Sequence, residues 1–251
     1  MPNRVSIPLR IMTYNIHKGI GGVDRRYDLK RIADVISQYQ PDIVMLQEVD
    51  DGVPRSNRDR QVNRLADELN FKYTAFQKNV HLKVGHYGNA ILSQFPLSEV
   101  HNLNLKIPLK KCRRALIAKT HLSVEGHRRS LLLCNTHLGL AGFERTAQIK
   151  KLLACESIAK LHRDTPAIIG GDFNDVWASL GRKLFLPLRF SCAVRDSKTF
   201  PAFMPVRSLD AIYFRGDMEL RSSHACRAKL SRQASDHLPV IADFEVKLGA
   251  P

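Results

Sequence analysis

The chain has 251 residues, 44% of them hydrophobic and 25% charged, a composition ordinary for a soluble globular protein and a length able to bury a core without disulfide or metal staples. Its 39 lysines and arginines outnumber 24 aspartates and glutamates, and the net charge of +15 attracts polyanions: nucleic acid, an anionic membrane surface or a phosphorylated metabolite. No apolar run is long enough to span a membrane, and residues 1–10 hold no apolar core of a secretory leader. Five cysteines (Cys112, Cys134, Cys155, Cys192 and Cys226) without a CxxC spacing argue against a disulfide framework and a zinc site, and make a reducing cytoplasm the expected compartment.

In chain order, apolar runs and amphipathic spacing predict a strand over 9–14, a helix over 29–38, a strand over 43–46 and a helix over 61–69. Strands over 89–92, 115–121 and 130–135 follow, then a helix over 145–162 and strands over 167–169, 209–214 and 239–246. The last helix sets Ile149, Leu152, Leu153, Ile158 and Leu161 at helical spacing. Pro41 and Pro166 each stand between a helix and the strand that follows, as stop signals. No repeat, Pro-rich linker or Gly/Ser-rich hinge interrupts the pattern, so a single domain is expected across residues 1–251.

Polar residues fall on these strands in a directed way. Four apolar runs end in a polar cluster: Asn15, Gln47–Glu48, Asn135–His137 and Asp172–Asn174. Three others begin with one: Asn89, Asp210 and Asp236–His237. If the second set runs antiparallel to the first, all of these clusters meet at one edge of a mixed sheet arrangement, where a rigid scaffold usually presents catalytic groups.

The groups gathered there are Asn15, Glu48, Asn89, His137, Asp172, Asn174, Asp210, Asp236 and His237: four carboxylates, two histidines and no cysteine. Hard divalent cations such as Mg²⁺ or Mn²⁺ take oxygen ligands and leave room for water and a substrate phosphate. Carboxylates beyond those on the metal can activate water or orient a histidine, and histidines can neutralise charge building on a phosphoryl group. Together these describe a metal-dependent phosphoester hydrolase. Each motif alone has a plainer reading, a core histidine at 137 or a turn at GDFN; their joint order carries the argument.

The ordered segments TYNIHKG (13–19), LQEV (46–49), GNAILS (88–93), RRALIA (113–118), NTHLG (135–139), GGDFND (170–175), LDAIYF (209–214) and SDHLPV (235–240) resemble the endonuclease/exonuclease/phosphatase (DNase I-like) superfamily, over residues 9 to 246. The resemblance implies an α/β (α+β) fold, a four-layer sandwich of two packed, mixed, mostly antiparallel sheets with helices outside. It implies Glu48 as the main metal ligand, with Asn15 and Asp236 binding or organising the metal, Mg²⁺ or Mn²⁺. It implies that Asp172 aligns and deprotonates the attacking water and that Asn174 orients it. Asp210 and His237 match a carboxylate–imidazole pair facing the scissile phosphate, and His137 a phosphate contact or proton donor. Asn89 and Arg114 match substrate-supporting positions, with Arg113 as the alternative register.

Substrate is left open among three readings. One is a nuclease, which uses the +15 charge on nucleic acid. Another is a phosphatase or phosphodiesterase acting on a phospholipid headgroup or small phosphorylated molecule, with the basic surface meeting an anionic membrane peripherally. The third is a non-catalytic binding module that kept the fold, which the intact carboxylates and histidines disfavour. The histidine in NTHLG, where exonuclease III-type apurinic endonucleases carry a Tyr-x-Pro-Asn segment, disfavours abasic-site repair. Oligomeric state has no signal in the sequence. Cys134 reads as a small core residue, and Trp177, the lone tryptophan, as a packing residue at a helix start.

Overall fold

Ile11 and Met12 are adjacent, both fully buried, and face opposite ways. Ile11 joins a core cluster with Met45, Leu116, Leu133, Ile168 and Ile212, whereas Met12 joins Ile32, Ile36, Leu46 and Leu65. Successive strand side chains alternate between faces, so an unbroken apolar run marks a strand covered on both sides. The central strands are of this kind.

The computed structural model describes residues 5–177, 179–194 and 197–249. Its elements in chain order are β1 (Ser6–Asn15), α1 (Leu29–Tyr39), β2 (Ile43–Asp51), α2 (Gln61–Leu69), β3 (Tyr73–His81), β4 (His86–Ser93), β5 (Leu97–Asn104), β6 (Arg114–Val124), β7 (His127–His137), α3 (Gly142–Leu153), α4 (Glu156–Ala159), β8 (Ala167–Asp172), β9 (Ser191–Cys192), β10 (Asp210–Arg215), β11 (Met218–Ala225), α5 (Lys229–Ala234) and β12 (Val240–Lys247). They form two six-stranded sheets, in the orders β11-β12-β1-β2-β4-β3 and β5-β6-β7-β8-β10-β9. The pairs β1–β2 and β7–β8 are parallel and the other paired strands antiparallel. One apolar cluster fills the space between the sheets, a second lies between the first sheet and α1, α2 and α5, and a third lies between the second sheet and α3 and α4. The layers are therefore helix, sheet, sheet, helix: the four-layer α/β sandwich expected. Among the described residues no helix is long and apolar enough to cross a membrane.

The predicted strands correspond to the eight inner strands. The four that the apolar runs miss, β3, β5, β9 and β11, are the four sheet edges. The expected helix over 145–162 is two pieces, because Cys155 takes an extended conformation (φ −67°, ψ 147°) between α3 and α4. Both pieces still face the sheet, through Leu152 and Ile158.

One polar clasp crosses the gap between the sheets. The Asn135 amide on β7 donates to the carbonyls of Leu46 and Ala90 on the opposite sheet, each at 2.8 Å, while Gln47 donates to Asn135 Oδ1 at 2.8 Å and to Thr13 Oγ1 at 3.1 Å. Gln47 and Asn135 are fully buried, so removing one side leaves desolvated groups without partners. Asn135→Leu should therefore lower stability by roughly 2–4 kcal/mol in urea unfolding; an unchanged midpoint would show that the clasp is not a structural tie.

Candidate active site

β8 delivers Asp172 to the edge expected from the sequence. The preceding Gly171 makes this possible: its φ of +143° is reserved for glycine, and a Cβ there would stand 1.9 Å from the Thr136 carbonyl oxygen. Asp172 is 1% exposed, and both of its oxygens are engaged. The Asn174 amide donates to Oδ1 at 2.9 Å, and Asn15 Nδ2, from the other sheet, donates to Oδ2 at 3.1 Å. The same Oδ2 lies 3.4 Å from His137 Nε2 and 3.8 Å from His237 Nε2. Burial raises the Asp172 pKa and the two imidazoles oppose it, leaving a carboxyl more basic than one in water. Asn174 is fixed by its side-chain amide, which donates to the Leu138 carbonyl at 3.0 Å.

His237 precedes β12 and is oriented from behind. Its Nδ1 donates to Asp210 Oδ2 at 2.9 Å, and that oxygen also accepts the Thr199 hydroxyl at 2.6 Å. Burial favours the neutral ring, but Asp210 and Asp172 outweigh it and push the imidazole up to about 10. His137 behaves oppositely. Burial and the Arg113 guanidinium push it down to about 4, so it is neutral at neutral pH. Two histidines flanking one carboxylate thus hold different charge states.

Glu48 enters through a bulge in β2, where pairing with β4 shifts between Leu46 and Val49 and Glu48 adopts φ +56°. A non-glycine residue in that region is strained, and such strain gathers at functional sites. Lys18, also left-handed at φ +64°, forms an ion pair with Glu48 Oε2. Burial disfavours the Glu48 carboxylate, yet His137 and Lys18 hold it down at about 2. Because His137 is neutral at neutral pH, Lys18 supplies the lasting positive charge. Asp236 stands apart from this pair, with its Oδ2 3.8 Å from His17 Nε2. Ser235, next to it, donates to the Asn15 carbonyl at 2.7 Å and so ties the start of β12 to the end of β1.

Six of the nine residues gathered from the sequence come together in one group, and the other three each pair with a separate partner. Asn15, His137, Asp172, Asn174, Asp210 and His237 form one contiguous network. Among the described residues no hydrogen bond or ion pair joins Glu48, Asp236 or Asn89 directly to Asp172. The Asn89 amide donates to Gln77 Oε1 at 3.2 Å and to the Arg114 carbonyl at 3.3 Å. Arg114 is thus bound through its backbone, and it is Arg113 whose charge reaches His137 and Tyr87. Sequence reasoning missed Lys18 and Thr199 as partners of the site carboxylates, and held Arg113 only as the alternative to Arg114. Lys18 and Arg113 lie inside the quoted motifs, and Thr199 had no signal. Trp177 is 81% exposed rather than packed, because Phe173 fills the nearby core against Phe185 and Tyr213.

The donor set suits a hard divalent cation: carboxylate and amide oxygens with imidazole, and no thiolate among the site residues. Asp172, Asp210 and His237 bring their polar atoms within 4.8 Å of one another, with the His237 imidazolium itself the cation between the two carboxylates. Asp210 Oδ1 and Asn89 Oδ1 are buried acceptors without a partner, and Glu48 already faces the protein's own ammonium. These are marks of a place built for positive charge.

The Endonuclease/Exonuclease/phosphatase family model matches residues 12–237. A protein of Escherichia coli (strain K12), the uncharacterized YbhP, is 27% identical over 264 residues, covering 98% of this chain and 100% of that one. The crystal structure of an endonuclease/exonuclease/phosphatase from Beutenbergia cavernae is similar at a TM-score of 0.79, with 23% identity over 97% of this chain and 72% of that chain. ANGEL2, described as a 2′,3′-cyclic phosphatase and solved in complex with adenosine-2′,3′-vanadate, is similar at a TM-score of 0.75, with 15% identity and 96% of each chain covered.

The Lys18 ammonium and a divalent cation would compete for Glu48. Lys18→Met should tighten Mn²⁺ binding by at least roughly tenfold in calorimetric titration, since removing a neighbouring like charge is worth this much or more at low effective dielectric. Unchanged or weaker binding would mean that the metal does not use Glu48.

Proposed function

We propose that the chain, which belongs to the endonuclease/exonuclease/phosphatase family, is a divalent-metal-dependent phosphodiester hydrolase in which Asp172 activates the attacking water. Members of this family hydrolyse phosphoesters. The observation that carries the finer reading is the setting of Asp172: a fully buried carboxylate between one neutral and one cationic imidazole, tied across the sheets by Asn15. Similarity in fold to a 2′,3′-cyclic phosphatase supports a phosphodiester as substrate.

In this reading water attacks phosphorus as one of its protons passes to Asp172 Oδ2, whose raised pKa suits a general base, while the P–O bond to the leaving ester oxygen breaks and that oxygen takes up a proton from solvent. Asn174 and Asn15 hold that carboxylate in place. The His237 imidazolium, braced by Asp210 and Thr199, presents its Nε2–H toward the same space and stabilises charge on the phosphoryl oxygens. Neutral His137 contacts the phosphate through a hydrogen bond rather than a full charge. Glu48, with Asn15 and Asp236, would hold Mg²⁺ or Mn²⁺, which when bound polarises the phosphate and adds positive charge where negative charge develops. Asn89 and the arginines at 113 and 114 stand on the same edge as support for the substrate.

Hydrolysis of bis-p-nitrophenyl phosphate and nicking of plasmid DNA, each with Mg²⁺, Mn²⁺ or EDTA, test this. Turnover should require the metal and cease in EDTA. Asp172→Asn should lower kcat by roughly a hundred- to ten-thousandfold with the fold retained. Glu48→Gln should weaken metal binding first. Full turnover by Asp172→Asn, or in EDTA, would refute the mechanism. Nicking would identify a nuclease.

A further inference from the structure

The loops around the site carry side chains that hydrolysis itself does not need. Strand pairing places loops 16–28, 105–113, 138–141, 173–177 and 197–209 at the edge that holds Asp172. Most of the exposed large apolar side chains among the described residues stand on these loops or just beside them: Leu109, Trp177, Leu140, Val23, Phe143 and Met204 are the most exposed. At the opposite edge only Tyr73, beside loop 70–72, and Leu186 and Leu188, just before β9, are exposed in this way among the described residues. An apolar surface gathered at one edge of a protein is a mark of an interaction site.

The charge follows the same edge. In loop 105–113 the fully exposed Leu109 stands between Lys106 on one side and Lys110 and Lys111 on the other. Lys110 Nζ lies 5.2 Å from the centre of the Phe143 ring, which brings two of these loops together. Loop 197–209 is bound to the catalytic groups: the Ala202 amide donates to the Asp236 carbonyl at 2.7 Å, and the Phe200 ring lies 4.9 Å from the His237 ring. Whatever the rim touches is therefore presented to Asp172.

We propose that this rim docks the protein on an anionic phospholipid bilayer, and that the phosphodiester it cleaves belongs to a lipid headgroup at that surface. The inference rests on the hydrolase reading for the cleavage and on the rim alone for the docking. Side-chain chemistry separates a bilayer from nucleic acid. Bases are held by stacking on aromatic faces and by polar contacts; Trp177, Phe143 and Phe203 suit bases and bilayers alike, but the aliphatic Leu109, Leu140, Met204 and Val206 suit only a bilayer. Aliphatic tips gain by entering hydrocarbon, lysines beside them reach the phosphate layer, and an exposed tryptophan suits the interface between the two. Anionic lipid also complements the net charge of +15.

Trp177 is the only tryptophan in the chain and stands on the rim, so its fluorescence reports docking directly. Vesicles of phosphatidylcholine and phosphatidylglycerol in equal parts should shift its emission to the blue, and brominated lipid should quench it. Pure phosphatidylcholine should act more weakly. Leu109→Glu together with Met204→Glu should reduce vesicle affinity roughly tenfold or more, with turnover of bis-p-nitrophenyl phosphate unchanged. No response to vesicles, equal binding by the double variant, or a response only to a single-stranded oligonucleotide would overturn the proposal. Turnover of the soluble diester without docking refutes the bilayer reading alone, and docking without turnover refutes the hydrolase reading alone.

Discussion

A carboxylate taken wholly out of water is costly unless every lone pair is answered, and Asp172 sets that condition for the whole edge. Its neighbours come from both sheets: Asn174 follows just past the end of its own strand, His137 lies on the adjacent one, and Asn15 reaches across the gap from 157 positions away in the chain. The Asn135–Gln47 clasp, just inside the same edge, fixes the distance that Asn15 must span. The sheets cannot slide past one another without stranding a buried charge. Packing and the geometry of the candidate site thus share one set of atoms, and the site is preorganised by the forces that hold the layers together.

Different charge on two similar rings follows from the same burial. His237 has a carboxylate behind it and another in front, so it stays cationic against desolvation. His137 has a guanidinium nearby, and desolvation prevails. The protein thereby sets one hydrogen-bonding ring and one charged ring around a single oxygen. Neither state is a property of histidine alone.

What was legible in the sequence follows from burial. Inner strands such as β1 and β8 are covered on both faces and appear as apolar runs, so all eight were found. Edge strands such as β5 (LSEVHNLN), largely exposed, carry polar residues at most positions and leave no such signal. The break at Cys155 is a backbone event without glycine or proline to announce it. The network around Asp172 was readable because strand ends label themselves with carboxylate, amide and imidazole. Thr199 and Lys18 were not, since their partnerships with Asp210 and Glu48 depend on how loops fold back. Trp177 was misplaced because a large aromatic beside a core segment reads as core, while Phe173 had already filled it.

The order in which the chain is made acquires a meaning from the pairing of β1 with β12. β1 emerges before every other described strand, yet Thr13 pairs with Val240 and Asn15 accepts the Ser235 hydroxyl at its carbonyl. A ribosome that has released only the leading half exposes β1, β2 and their helix with one flank unpaired and with neither His237 nor Asp210 present. Such long-range closure is slow and leaves sheet edges open until it is complete. The edge around Asp172 is therefore complete only when β12 docks. A nascent chain thus passes through its most aggregation-prone stage before His237 and Asp210 have joined the edge.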